Sequence, residues 1–245
     1  TIDEFLELSF ESDIKFEYSV AWIDCASSGR KLGRGIFTQG NHKETKGNDF
    51  KWKDNHISFS MEAPSTLLNS LTIKTFNFLY FNKQIPKIQR NEINFDTFFY
   101  PLDKILDWNK MYGKRGFLQY QMVIPFENGS KILTEILRKI ASAREGSFLA
   151  VLKTFGDIPA EGMMSFPRPG ITLALDFRFN GERTLKLLGY LDTIVRECGG
   201  AVYPAKDARM THESFITYFP RYKEFSQYID PSFTSDFWKR VTTTT

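Results

Sequence analysis

Histidine and cysteine are scarce in this 245-residue chain, at three and two. His42, His56 and His212 stand far apart, with no cysteine or paired carboxylate beside them, so their spacing offers no metal site. Cys25 and Cys198 also lack metal-like spacing and read as free thiols of a reducing, cytoplasmic compartment. No apolar run nears the roughly 20 residues that cross a bilayer, and nothing looks like a secretion signal. Net charge is +3, acids and bases are interspersed, and no Lys/Arg run occurs, which argues against nucleic acid. There is no Gly-x-Ser-x-Gly elbow. Gly33-Arg34-Gly35 lacks the glycine spacing and following helix of a phosphate cradle, so nothing here holds a nicotinamide or flavin diphosphate by itself.

Aromatic residues are plentiful instead. They make up 16% of the chain, with 24 phenylalanines. The plain reading is a Phe-rich core. The functional reading is an aromatic-walled pocket for a large apolar or ring-shaped ligand. With 42% hydrophobic and 25% charged residues the chain buries a real core, as one large domain or two small ones.

The pattern from Phe117 to Tyr203 organises the rest. It predicts a strand (Phe117–Pro125), a helix (Asn128–Arg144), two strands (Ser147–Phe155 and Ile171–Phe179), a helix (Gly181–Cys198) and a strand (Ala201–Tyr203). That order is the ferredoxin-like β-α-β-β-α-β unit. Ile132, Ile136, Leu137 and Ile140 stripe the first helix, and Leu185, Leu188, Leu191, Ile194 and Val195 stripe the second. Gly199-Gly200 ends it. Right-handed crossovers put both helices on one sheet face and leave the other free. The expected fold is therefore α+β, with a ferredoxin-like core in a larger antiparallel sheet and helices on one face.

Around this core lie a half-buried strand (Ile14–Asp24), a turn at Ser27–Arg30, a short strand (Ile36–Thr38) and a mobile polar loop (Gln39–Asn55). A short strand at Ile57–Met61 precedes a helix opened by Pro64-Ser65, with Ser65 as N-cap. That helix is apolar nearly all round, so it is buried or docks on another domain. Asn82–Phe95 reads as a connector, Pro101 as the first turn of a short helix through Trp108, and Gly113–Gly116 as a turn. The loop Asp157–Gly170 is apolar enough to pack over a sheet edge or to wall a pocket. Helices follow at Thr211–Phe219, Tyr222–Tyr228 and Ser235–Val241, with Thr242–Thr245 frayed.

Several strand positions are polar where a plain core strand would not be. Gln119 and Gln121 sit two apart and so face one way. Lys153 and Phe155 do the same, with Val151 in phase. Asp176 is a further polar strand residue, and Lys206 follows the last strand. A lone strand lysine is usually a snorkelling surface residue. Two lysines and two glutamines on the face the helices leave free weigh against that. A cation beside a flavin's pyrimidine edge, or beside a sugar oxygen being oxidised, stabilises developing negative charge.

Tyr18–Asp24, Tyr100–Asp103, Trp108–Gly113, Gly116–Gln121, Ser147–Lys153, Leu175–Phe177 and Ala205–Asp207 together resemble the decaprenylphosphoryl-β-D-ribose 2′-oxidases. These are vanillyl-alcohol-oxidase-type FAD-linked oxidases, near the aldonolactone oxidases. The resemblance runs in order over most of the chain and is thinnest from Gln39 to Phe95. It implies that residues 1–245 are the C-terminal, substrate-binding domain of such an enzyme. The abrupt start at Thr1 reads as an excised segment whose partner, an N-terminal FAD-binding domain, lies outside it.

The implied chemistry is hydride transfer from a sugar hydroxyl carbon to FAD, most specifically at the 2′-OH of a polyprenyl-phosphate-linked pentose. By resemblance Lys206 and Gln121 are catalytic and touch the flavin. Gln119, Lys153 and Phe155 line the substrate pocket, and Trp22, Leu149 and Val151 are its walls. Thr172 stands for a pocket asparagine and Ala174 for a pocket cysteine; Phe99 and Tyr100 replace a tyrosine and a histidine. The alanine predicts insensitivity to thiol-directed inhibitors. The isolated segment is expected to be inactive. The resemblance leaves room for a partner reductase that completes an epimerisation, and implies a cytoplasmic protein peripheral to the inner membrane. An aldonolactone oxidase and a non-catalytic ligand-binding module are the alternatives.

Overall fold

The computed structural model describes residues 1–44, 57–58, 61–64, 67–101, 104–206 and 209–243. The chain opens with a helix, α1 (Ile2–Lys15), where the sequence suggested the onset of a strand at Ile14. Thr1 and Glu4 form a reciprocal capping box, and Asp3, Glu4 and Lys15 match the helix dipole. Ile2, Phe5, Ser9 and Ser12, spaced three and four apart, are its buried stripe.

Strands β1 (Tyr18–Ile23) and β2 (Gly35–Gly40) follow, then β3 (Ile57–Ser58), α2 (Ser70–Asn82), α3 (Phe95–Phe99) and β4 (Ile105–Leu106). The ferredoxin-like unit comprises β5 (Phe117–Ile124), α4 (Gly129–Ala143), β6 (Ala150–Phe155), β7 (Gly170–Arg178), α5 (Glu182–Glu197) and β8 (Ala201–Val202). Three short helices close the described chain: α6 (His212–Tyr218), α7 (Tyr222–Ser226) and α8 (Asp236–Thr242).

The main sheet has six strands in the order β2-β1-β6-β7-β5-β8. Every neighbour pair in it is antiparallel. The last four strands are the ferredoxin-like unit, and β1 and β2 extend it beyond β6. β3 and β4 form a separate parallel pair. β6 starts at Ala150 rather than Ser147 because the Ser147 hydroxyl engages Leu149, accepting its N–H at 3.0 Å and donating to its carbonyl at 2.7 Å.

Tyr120, Met122 and Ile124 of β5, with Leu173, Leu175 and Phe177 of β7, meet Leu133, Ile136, Leu137 and Ile140 of α4 and Leu188, Leu191 and Val195 of α5 in one core. Each such buried side chain contributes about 1.5–3 kcal/mol. Helix α5 ends on Gly199, whose φ of +74° suits glycine. The following Gly200 approaches β5 so closely that a Cβ would meet Val123 O at 2.4 Å.

The opposite sheet face is roofed in part. Asn69 caps α2, accepting from Leu71 N–H at 2.9 Å and Thr72 N–H at 3.1 Å, so α2 begins at Ser70. The expected cap Ser65 lies outside the described residues, as do most of the expected mobile loop, Leu102, Asp103, Asp207 and the last two threonines. Helix α2 buries Ile73 and Asn77 but exposes Leu71, Phe76, Phe78 and Leu79. Pro101 does not start a helix: α3 precedes it, because a residue before proline disfavours helical backbone. A 3-10 stretch then runs Trp108–Arg115, kinked at Gly113.

Candidate functional site

Residues opposite one another in an antiparallel ladder share a face. Tyr120 reaches Asp192 on α5, so the even positions of β5 face the helices. Gln119 and Gln121 therefore face away from them. Gln121 pairs with Ala174, Ala174 with Val151, and Val151 with Trp22, which makes one row across four strands. Thr172 and Lys153 form a second row with Val123, and Phe155 stands beyond them opposite Gly170. On the other side of the first row Gln119 pairs with Asp176, whose N–H points to Leu149 O at 3.4 Å. The expected pocket residues of the sheet thus share one surface.

Their states differ. Gln121 donates through Nε2 to Thr172 Oγ1 at 3.1 Å, and Thr172 is buried. Lys153 is exposed and makes no hydrogen bond or ion pair among the described residues, as a snorkelling lysine would. Ala174, Val151, Phe155, Leu149 and Trp22 are half-buried. Trp22 is fixed by Nε1 donating to Phe148 O at 2.9 Å and by its ring packing on Tyr80 of α2.

Lys206 enters from the β5 edge. β8 pairs with Met122 and Val123, after which Tyr203 N–H donates to Gln121 O at 2.8 Å. The chain then turns through Pro204–Lys206. Arg209 clamps the far side by donating to Asp192 Oδ2 at 2.8 Å. The turn brings Lys206 to a small crevice at the rim of the sheet, lined by Gln119 and, from the helix side, by Leu118, Leu188, Asp192 and Met210, and its charge acts on Asp176.

Aromatic rings close both ends of the surface. Phe166, from the apolar loop, stacks on Tyr203 at 4.7 Å and meets Phe155 edge-on at 5.9 Å. The loop therefore walls the site at that end. At the other end Tyr112 stacks on Phe117 at 4.4 Å and on Phe148 at 5.6 Å. Phe117 lies on β5 and Phe148 just before β6, on either side of β7, and Tyr112 lies close enough to Asp176 for that charge to act on its phenol.

Burial pushes the Asp176 carboxyl up to about 6, and the Gln119 hydrogen bond and the Lys206 charge pull the other way. Burial, and then the charge of Asp176, pushes the Tyr112 phenol up. Among the described residues Asp176 Oδ2 and Tyr112 Oη are both buried with no hydrogen-bond partner. The sequence marked Asp176 as polar but gave it no role, and it did not single out Tyr112. Only a register would have revealed either. A separate cleft of about 390 Å³ lies at the end of β7, between Leu68, Ile73, Arg144, Arg178 and Arg183.

Among the described residues no three His, Cys, Asp or Glu side chains gather as a metal site, and no helix is long and apolar enough to cross a membrane. No family model matches the chain. Curated proteins do, and one of them is an oxidase. That relative is decaprenylphosphoryl-beta-D-ribose oxidase of Mycolicibacterium smegmatis, 32% identical over 244 residues and 94% of this chain. The chain spans about half (52%) of that oxidase's length. An uncharacterized protein in the mprA 5′ region of Streptomyces coelicolor is 31% identical over 115 residues, 45% of this chain and 31% of that protein. The resemblance carried by the strand and turn motifs is thus found along nearly the whole chain.

Proposed function

We propose that this chain is the C-terminal, substrate-binding domain of an FAD-linked sugar oxidoreductase. One observation carries the reading: Trp22, Val151, Ala174 and Gln121 form a single row on the face away from α4 and α5, with Lys153, Thr172 and Gln119 beside it. Identity to an oxidase over 94% of the chain supports the redox class. The donor set suits FAD's ring edge, since amides and an ammonium answer carbonyl oxygens and developing negative charge. It does not suit the diphosphate, which a further, upstream domain would bind. The apolar, exposed Leu71, Phe78 and Leu79 of α2 fit a face that meets such a domain.

In this reading Lys206 and Gln121 lie at the flavin edge and the reacting carbon. Bound FAD would supply the hydride acceptor. Gln119 and Lys153 hold sugar hydroxyls and the anionic end of the substrate; Thr172, which the resemblance placed in the pocket, is too enclosed to touch it and instead fixes the Gln121 amide. Phe155, Leu149, Val151 and Trp22 exclude water, and Ala174 leaves extra room in the first row. The finer substrate is the 2′-OH of a polyprenyl-phosphate-linked pentose.

The test mixes the full-length protein and FAD with a short-chain polyprenyl-phosphoryl pentose, and separately with free aldonolactones. Bleaching of the flavin's visible band by the lipid-linked sugar is the expected result. No bleaching by any sugar or lactone would end the enzymatic reading, and bleaching by lactones alone would replace the substrate.

A further inference from the structure

Four acids are buried among the described residues: Asp24, Glu145, Asp176 and Asp192. Three of them have an arginine. Arg34 holds Asp24 with two bonds of 2.9 and 2.7 Å, and Asn77 adds a third at 2.8 Å. Arg183 and Asn180 hold Glu145 at 2.8 and 2.9 Å. Arg209 and Tyr120 hold Asp192 at 2.8 and 2.9 Å. Among the described residues Asp176 makes no ion pair within 4 Å, and its Oδ2 has no hydrogen-bond partner, although it is 4% exposed. A buried carboxylate left so costs stability. Such a cost persists where the group serves a site.

We propose that Asp176 is a positioning residue of the open-face site: from beneath Tyr112, its carboxyl orients the Gln119 amide and the Lys206 ammonium toward the ligand. This rests on the reading of that face as the ligand site. Gln119 stands directly across from Asp176 in the β5–β7 register. Lys206 lies close enough that its charge acts on the carboxyl. Tyr112, 2% exposed and stacked on Phe117 and Phe148, keeps water away from above. Arg178, two residues along on the same face, is turned to Leu68 O and does not neutralise it. Asp176 itself is too enclosed to touch a ligand, so it acts through its two neighbours.

The test is Asp176→Asn in the full-length, FAD-loaded protein. Three results are expected together. Turnover of the polyprenyl-phosphoryl pentose falls about tenfold, the size of losing one charge partner. The inflection of turnover near pH 6 disappears. Thermal stability at pH 8 rises, the reverse of what a structural acid would show. NMR of the Lys206 side chain supplies a readout without substrate: its shift moves near pH 6 in the wild type and not in the variant. Lys206→Met should move the Asp176 titration further up. An unchanged pH profile with unchanged Lys206 shifts would overturn the proposal, as would lower stability at pH 8. If no sugar is oxidised at all, the functional reading fails while the pH dependence of the Lys206 NMR signal still decides the role of Asp176.

Discussion

Tyr203 donates its backbone N–H to the Gln121 carbonyl at 2.8 Å, and that single bond ties the Lys206 turn to the strand carrying both glutamines. The position of the turn is therefore set by β5 and by the close approach of β8, which leads to a first prediction. Gly200→Ala places a Cβ 2.4 Å from Val123 O, a backbone atom that cannot yield cheaply. It should cost about 1–3 kcal/mol in chemical denaturation. It should also shift the Lys206 turn, seen as changed amide shifts at Tyr203 and Lys206. Wild-type stability would show that β8 is not held as described.

Asp176 gives the second prediction, through pH. Its folded-state value, about 6, lies above the ordinary 3.8. A raised carboxyl favours the fold below the unfolded value and loses that contribution as pH rises through the folded one. The window is therefore about pH 4 to 6, and the loss is at most roughly 3 kcal/mol for two units. Asp176→Asn should flatten this slope in thermal melts taken across the window. An equal slope in both proteins would place the titration elsewhere.

Thr172 gives the third. It is buried and accepts the Gln121 amide at 3.1 Å. Thr172→Val keeps the shape and removes the acceptor. The cost should be about 1 kcal/mol in urea unfolding. By the role proposed for Gln121, the freed amide should lower kcat for the proposed sugar substrate at least as much as it raises KM. An unchanged kcat would argue that Gln121 is held by something else or takes no part in the chemical step.

The thiols give the fourth. Burial pushes Cys25 up to about 12, and its sulfur lies against Ser147. Cys198 is only partly buried. Under native conditions a thiol reagent should label Cys198 and spare Cys25, and both should react in denaturant. Ala174 offers no thiol at the open face, so labelled protein should keep its ligand affinity. Peptide mapping by mass spectrometry reads this directly.

Local pattern made much of the core legible. Alternation from Phe117 to Ile124, and the apolar stripes of α4 and α5, fixed which glutamines share a face before any register was known. Beyond that, the decisive bonds join distant residues. Asn77 reaches Asp24 and Ser147 from α2, and no periodicity in α2 foretells a buried asparagine. Helix α1 went unread because two of its four buried positions are serines, although Thr1 and Glu4 carried a readable capping box. The role of Asp176 was illegible for a similar reason: what sets it apart is an arginine it lacks, and three other buried acids must be seen paired before that lack has meaning.

The brevity of β8 has a consequence of its own. Two paired residues return the chain to the sheet's rim, and one tight turn then delivers an ammonium there. Lengthening that strand by a single step would point the next side chains into the opposite layer. Selectivity in such a scaffold can therefore drift through small changes in loop spacing at one edge, while the packed centre stays as it is.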